Sequence, residues 1–241
     1  MTVAKQIERF VAEIPEGQVF SFENLGLPAS QWDSSRIKLG RMVSKGILRK
    51  ASNGKYYKPR KTIFGVLPPS QKELVKDLLF KNDQIVGYLT NHSIWNDLML
   101  TSQISAITVI GINSKKNPLT RNGQQIRFVF QPNEITEDNV HLLQILDSIK
   151  FITQIPDADI NDSVRRLIQL IGNMCIYEKD VLVALAMKYP PRARALLGAI
   201  LSIDGDNPLS DNLKRTLNPA TKYKLGISKA ILDNKNNWNI E

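Results

Sequence analysis

From residue 3 onward, Ile7, Phe10, Val11 and Ile14 recur at three- and four-residue spacing, the period of an amphipathic helix over 3–14. Pro15-Glu16-Gly17 stops it, because Pro disfavours helical backbone in the residue before it and Gly permits the turn. Val19-Phe20-Ser21 reads as a short extended piece. Residues 22–25 read as one helical turn with Ser21 as a possible N-cap, ended by Gly26 and Pro28. A second helix is predicted over about 30–44, with Gly46 beyond it and Lys45 in its last turn, where a cation suits the helix dipole. Leu39, Met42 and Val43 share one face of that helix and are its expected core side. Ser34, Lys38, Arg41 and Lys45 fall at i, i+4, i+7 and i+11 along another face. Residues 47–51, the turn Ser52-Asn53-Gly54 and residues 55–58 are then strand, turn, strand, with Asn-Gly as the hairpin signal. Helix, short helix, basic helix and basic hairpin is the order of a winged helix-turn-helix.

Downstream, residues 58–66 read as a tether. Pro68-Pro69 introduces a helix with a capping box, Ser70-Gln71-Lys72-Glu73, and apolar Leu74, Val75, Leu78 and Leu79. A small-residue helical piece is expected over 87–98. The apolar run 106–112 is expected as a buried strand, a loop with Asn122-Gly123 follows, and 126–130 is a second strand. From Thr136 the pattern is helical throughout. Thr136 is the expected cap of a helix carrying Val140, Leu143, Leu146 and Ile149, and Asn161 or Asp162 that of one carrying Val164, Leu167, Ile168 and Ile171. Further helices are expected over 179–188, over 192–201 behind Pro190-Pro191, and more weakly over 209–217, before a polar tail from Asp233 expected to fray. The predicted fold class is α+β: a winged helix-turn-helix domain over 1–61, then a larger domain over 62–241, mixed α/β over 62–132 and helical over 136–232.

Charge sharpens the picture. Residues 1–61 hold 12 Lys and Arg against 5 Asp and Glu, a net of +7, so of the chain's +9 only +2 remains for the rest. A basic patch confined to one end points to a polyanion-binding domain on a nearly neutral body. In that reading Ser34, Lys38, Arg41 and Lys45 present a stripe to a DNA major groove, with Lys38 and Ser34 favoured as base readers and Arg41 either reading a base or holding the backbone. Ile37 beside them can touch a thymine methyl, and Arg49, Lys50 and Lys55 on the wing contact phosphates. The plainer alternative is that a Lys/Arg stripe is a solvated helix face. The lone Cys175, set among Ile168, Ile171 and Met174, is expected as a buried structural thiol; it excludes an intramolecular disulfide and fits a reducing cytoplasm. No run approaches the ~18 apolar residues of a membrane span, so a soluble cytoplasmic protein without membrane partners is expected.

Enzyme signatures are sparse: no Gly-rich phosphate loop, no H-E-x-x-H and no G-x-S-x-G. Asp157, Asp159 and Asp162 are the densest acidic cluster, and a nuclease metal site uses such carboxylates, but acids at a helix start also complement its dipole. His92 and His141 each fall in a helical pattern without a recognisable partner. Arg192 and Arg194 beside Pro190-Pro191 are as consistent with a helix surface as with a phosphate or acidic partner. No cofactor, no metal and no catalytic residue is expected.

Three blocks carry a family resemblance. Leu39-Gly40-Arg41-Met42-Val43-Ser44-Lys45-Gly46-Ile47-Leu48-Arg49-Lys50, with Gly54-Lys55-Tyr56-Tyr57, resembles the "L-x-R-L-x-x-x-G-x-I-x-R … G-x-Y" pattern of AbiEi-type antitoxins of bacterial abortive-infection systems. Gly87-Tyr88-Leu89-Thr90-Asn91, continuing to Asn96-Asp97-Leu98-Met99-Leu100-Thr101-Ser102-Gln103, is similar to that family's "G … N-x-L-G-L-T-T-Q" segment, with Met99 where the family usually has Gly and Ser102 where it has Thr. Ala186-Met187-Lys188-Tyr189-Pro190-Pro191-Arg192-Ala193-Arg194-Ala195-Leu196-Leu197-Gly198 is similar to "A-x-x-Y-P-P-x-x-R-A-L-L-G". The resemblance implies an antitoxin and autorepressor whose winged helix binds inverted repeats in its own promoter as double-stranded DNA, with a nucleotidyltransferase-like toxin encoded nearby. Two other classes stay open: a nucleic-acid-processing enzyme with a winged-helix targeting domain and a metal site around residues 157–162, and a protein-interaction module using its winged helix for protein contacts.

Overall fold

The computed structural model describes residues 2–63, 65–121, 123–203, 205 and 207–241. The chain divides into two compact units, the first running to Asp77 and including Leu119–Gln124, the second holding Leu78–Pro118 and Gln125–Glu241. The fold is α+β, and among the described residues no helix is long and apolar enough to cross a membrane.

In the first unit, α1 (Val3–Glu13) buries Ile7 and Val11. β1 (Val19–Phe20) leads through 3-10 turns at Glu23–Leu25 and Ala29–Gln31 into α2 (Trp32–Ser44). The backbone N–H and the hydroxyl of Ser21 both donate to Asn24 Oδ1, at 2.8 and 3.2 Å, so Ser21 ties down the first 3-10 turn as a donor to Asn24 and not as an accepting cap. β2 (Arg49–Ser52) and β3 (Lys55–Tyr57) form the antiparallel hairpin around Asn53-Gly54, and β1 pairs with β3, giving the order β1-β3-β2. Ile7, Val11, Ile14, Phe20, Leu39, Met42, Leu48 and Tyr56 make one buried cluster. At about 1.5–3 kcal/mol for each large apolar side chain removed from water, that cluster dominates the unit's stability. The expected tether is structured: β4 (Arg60–Thr62) pairs antiparallel with β5 (Gly65–Leu67). Helix α3 (Gln71–Leu74) follows, and its capping box is half made. Ser70 Oγ accepts from the Glu73 N–H at 3.3 Å, whereas the Glu73 carboxylate accepts from the Val19 N–H at 3.0 Å.

A one-turn helix α4 (Lys76–Leu79) and the small hairpin of β6 (Phe80–Lys81) and β7 (Gln84–Ile85) lead to β8 (Gly87–Leu89). Here the structure overturns an expectation: the small-residue stretch 87–98 is a strand followed by a 3-10 turn at Asn91–Ser93, not a helix. Gly87 serves close strand approach, because a Cβ there would stand 3.0 Å from the Ile112 side chain and 3.2 Å from the Gly111 carbonyl oxygen of the strand paired with it. β9 (Ile107–Ile112) is the expected buried strand. After it the chain supplies β10 (Leu119–Arg121) to the first unit, and β11 (Gln124–Phe130) covers the second expected strand. Asn122 of the expected Asn-Gly loop lies outside the described residues. β8 runs antiparallel and β11 parallel to β9, a mixed sheet.

The helical region is α5 (Val140–Lys150), α6 (Ile160–Gly172), α7 (Ile176–Ala186), α8 (Pro191–Ile203) and α9 (Asn207–Lys214). Its caps differ from expectation. Thr136 makes no side-chain cap, its backbone N–H donating to Asn139 Oδ1 instead. Asp159, not Asn161 or Asp162, caps α6 by accepting from both of their N–H groups. Cys175 is exposed and sits at the N-cap of α7, its N–H donating to the Glu178 carboxylate at 3.0 Å, because α6 has already ended at Gly172. The tail is packed rather than frayed: Trp238 and Ile240 are buried, and Tyr223 bridges to Ile240. Gly198 makes room for it, since a Cβ there would stand 2.2 Å from the Trp238 ring.

At the centre of the second unit lies one buried carboxylate. Asp147 on α5 accepts from Tyr88 OH at 2.7 Å, Thr90 Oγ1 at 2.7 Å and Tyr189 OH at 2.8 Å, and Gln131 Nε2 donates to both phenols at 2.8 Å. Tyr88 reaches it by lying across Gly111, whose absent Cβ would stand 2.5 Å from the ring. Burial pushes the Asp147 carboxyl above the ordinary carboxylate range, against the pull of the three hydroxyl donors and Lys150.

Two predictions follow from this packing. Asp147→Asn leaves at least one buried hydroxyl without an acceptor and should cost roughly 1–3 kcal/mol in thermal or urea unfolding. The folded carboxyl holds its proton to higher pH than the unfolded one, so its contribution to stability is full at low pH and falls as pH rises through the raised folded value. A pH series should show that slope in the parent and not in Asp147→Asn. The second concerns Met99, which has a φ of +58° and is well exposed. It occupies the left-handed region that Gly adopts without strain, where the family resemblance has Gly. Met99→Gly should therefore raise stability by about 1 kcal/mol; a loss of stability would contradict a strained backbone here.

Candidate nucleic-acid interface

Burial of Ser35, Leu39 and Met42 fixes which way α2 turns. Two further contacts lock its entry: Trp32 Nε1 donates to the Leu27 carbonyl at 3.3 Å, and the Phe22 ring stacks on Trp32 at 6.0 Å. Phe22 also meets Tyr56 edge-on at 6.0 Å, so one aromatic ring joins the 3-10 turn, the helix and the hairpin. The side of α2 left outside carries Asp33, Ser34, Arg36, Ile37, Arg41, Ser44 and Lys45. Ile37 is 59% exposed in the middle of that face, an apolar group held in water by the rotation of the helix.

The seven residues expected to meet DNA all lie in this unit, in three settings. Arg41 on α2, Lys45 at its C-cap, and Arg49 and Lys50 on β2 are exposed and make no ion pair among the described residues. β2 is the outer strand of its sheet, with a register shift between Lys50 and Ser52. Basic residues there also deter edge-to-edge pairing, whatever else they do. Ser34 is exposed, and its hydroxyl donates to the Gln31 carbonyl at 2.8 Å, leaving oxygen lone pairs outward. Lys38 and Lys55 are half-buried and ion-paired. Lys38 reaches across to Glu8 on α1, holding that carboxyl below its ordinary range. Lys55 Nζ lies 2.5 Å from the Asp77 carboxylate.

Sequence reasoning missed Arg121 and Asp77. Arg121 grips Asp77 with both terminal nitrogens, at 2.7 and 2.9 Å, and also donates to the Leu74 carbonyl at 3.3 Å. No local pattern could have flagged a pair 44 residues apart. Arg60 and Lys61, read as tether, are exposed on β4.

The other candidate chemistry disperses. Asp159 is the cap of α6, Asp162 pairs with Arg165, and Asp157 accepts from Gln103 Nε2 at 3.0 Å. His141 has a partner after all, Glu178 at 3.3 Å, while His92 packs edge-on against Trp95 and is lowered by burial and by Arg127. Arg192 donates to the Lys150 carbonyl at 3.1 Å, and the Nε of Arg194 is buried without a hydrogen bond among the described residues.

No family model matches the chain, and no curated protein matches it. Among solved structures, the chain is similar to the RV2827C protein from Mycobacterium tuberculosis, with a TM-score of 0.55 and 13% identity, over 92% of this chain and 84% of that one. At that identity the likeness is one of fold.

The wing turn depends on Gly54, whose φ is +71°. Gly54→Ala should destabilise the first unit by about 1–2 kcal/mol, read as a lower midpoint in thermal unfolding. Tolerance without loss would mean that the Asn-Gly turn relaxes freely.

Proposed function

We propose that the protein is a DNA-binding transcriptional regulator of the antitoxin kind, an autorepressor acting on an inverted repeat in its own promoter. The observation that carries this reading is the exposed basic face of the first unit: α2 presents Arg41 and Lys45 around Ile37, and the hairpin beside it presents Arg49 and Lys50. An arginine on an outward helix can bond bidentately to guanine, an exposed Ile suits a thymine methyl, and strand lysines and arginines suit phosphates. The concentration of charge in residues 1–61 supports the same partner. In this reading the protein does no chemistry, needs no cofactor and works in the cytoplasm. Its antitoxin role, with a nucleotidyltransferase-like toxin encoded nearby, rests on the resemblance of its three sequence blocks to AbiEi-type antitoxins.

Binding should be measured by fluorescence anisotropy on the promoter repeat and on a scrambled duplex. Arg41→Ala and Ile37→Ala should weaken the repeat more than the scramble, Arg41 by roughly 1–3 kcal/mol if it reads a base. Arg49→Ala and Lys50→Ala should weaken both duplexes alike and flatten the log–log salt dependence by about one unit each. If all four variants bind both duplexes as the parent does, DNA is not held by this face.

A further inference from the structure

Lys55 and Arg121 enclose one carboxylate, that of Asp77, at the surface of the first unit. Lys55 Nζ is 2.5 Å from Asp77 Oδ1, and Arg121 bonds both oxygens in a fork. The side chains of Lys55 and Arg121 are only 20% and 21% exposed, whereas that of Asp77 is 41% exposed, so the anion forms the outer layer over two cations. A guanidinium fork with an ammonium beside it is also the donor set that takes a phosphate group, whose oxygens accept from both. Burial disfavours the charged form of Asp77, but the two cations outweigh it and hold its carboxyl below the ordinary range.

We propose that Lys55 and Arg121 form a phosphate-binding clamp for the DNA backbone flanking the wing, and that Asp77 occupies it in the free protein as an internal competitor. This rests on the DNA-binding reading above and extends the interface to Arg121 on β10. Lys55 follows the wing turn directly, and the site lies within one compact unit. Displacing the carboxylate gives up a bidentate pair and an ammonium contact, and the incoming phosphate offsets that loss because its oxygens take over the same donors. A DNA phosphate is fixed by the rest of the interface and so competes at high local concentration. Free Asp77 then returns to solvent as the DNA docks. The consequence is a wing whose grip is damped in the free protein and whose binding is steeper in salt once the damper is removed.

The test is Asp77→Asn in the full-length chain, with Arg121→Ala and the double variant Asp77→Asn/Lys55→Ala, each checked for parental helicity by circular dichroism. Affinity for the promoter repeat and for a scrambled duplex is measured across a salt series. Asp77→Asn should tighten both duplexes by roughly two- to fivefold and steepen the log–log salt slope by about one unit or more. Arg121→Ala should weaken both duplexes, and the double variant should lose the gain. Unchanged or weaker binding by folded Asp77→Asn, while the parent binds DNA, overturns the clamp and makes Asp77 a brace for the wing. A parent that binds neither duplex overturns the DNA-binding reading together with the clamp, so the two failures are distinguishable. If Asp77→Asn loses helicity, Asp77→Ser replaces it under the same criteria, and loss of helicity there too identifies Asp77 as structural and ends the proposal.

Discussion

The interface depends on one packing constraint: the face of α2 that carries Ser35, Leu39 and Met42 has no alternative to the cavity formed by α1, Phe20 and Leu48. Each large apolar group there is worth about 1.5–3 kcal/mol buried rather than exposed. A rotation of the helix by one residue would therefore cost more than any surface ion pair could return. Everything outward is a consequence, including the exposure of Ile37 and Arg41 and the sideways reach of Lys38 to Glu8. The hairpin is bound to the same core through Leu48 and Tyr56, so helix and wing are presented as one surface.

The second unit is organised by the opposite kind of constraint, a polar one. Asp147 gathers Tyr88 and Thr90 from one of the sequence blocks that resemble AbiEi-type antitoxins and Tyr189 from another. A buried carboxylate is costly unless each lone pair finds a donor, and removing a single donor leaves it uncompensated. Those blocks thus supply the three hydroxyl donors that the buried carboxylate needs. The Tyr88 ring needs room, which Gly111 supplies, and α8, which follows the turn carrying Tyr189, needs Gly198 to accept Trp238.

The first unit was largely legible in the sequence because its signals are local. Apolar periodicity placed both helices, and Asn53-Gly54 placed the hairpin. The same reasoning misread residues 87–98, because small residues suit a crowded strand as well as a helix, and only pairing with Gly111 and Ile112 decides between them. The C-terminal tail was misplaced for a related reason, since the packing of Trp238 against Gly198 is a tertiary contact. Cys175 was misplaced because its apolar neighbours outweighed a local signal, the Glu178 three residues on that makes it an N-cap. Among the candidate DNA contacts, the sequence supplied the cations but not their anions. Glu8 lies 30 residues from Lys38, a separation no periodicity reports.

The most direct measurement of the central claim is a residue-resolved NMR titration of the full-length chain with the promoter inverted-repeat duplex. The account predicts that amide shifts concentrate on Ile37, Arg41 and Lys45 of α2 and on the Arg49–Ser52 strand with its turn, saturating at a fixed protein-to-duplex ratio. Shifts confined to the second unit, or none at all under low-salt conditions, would contradict it.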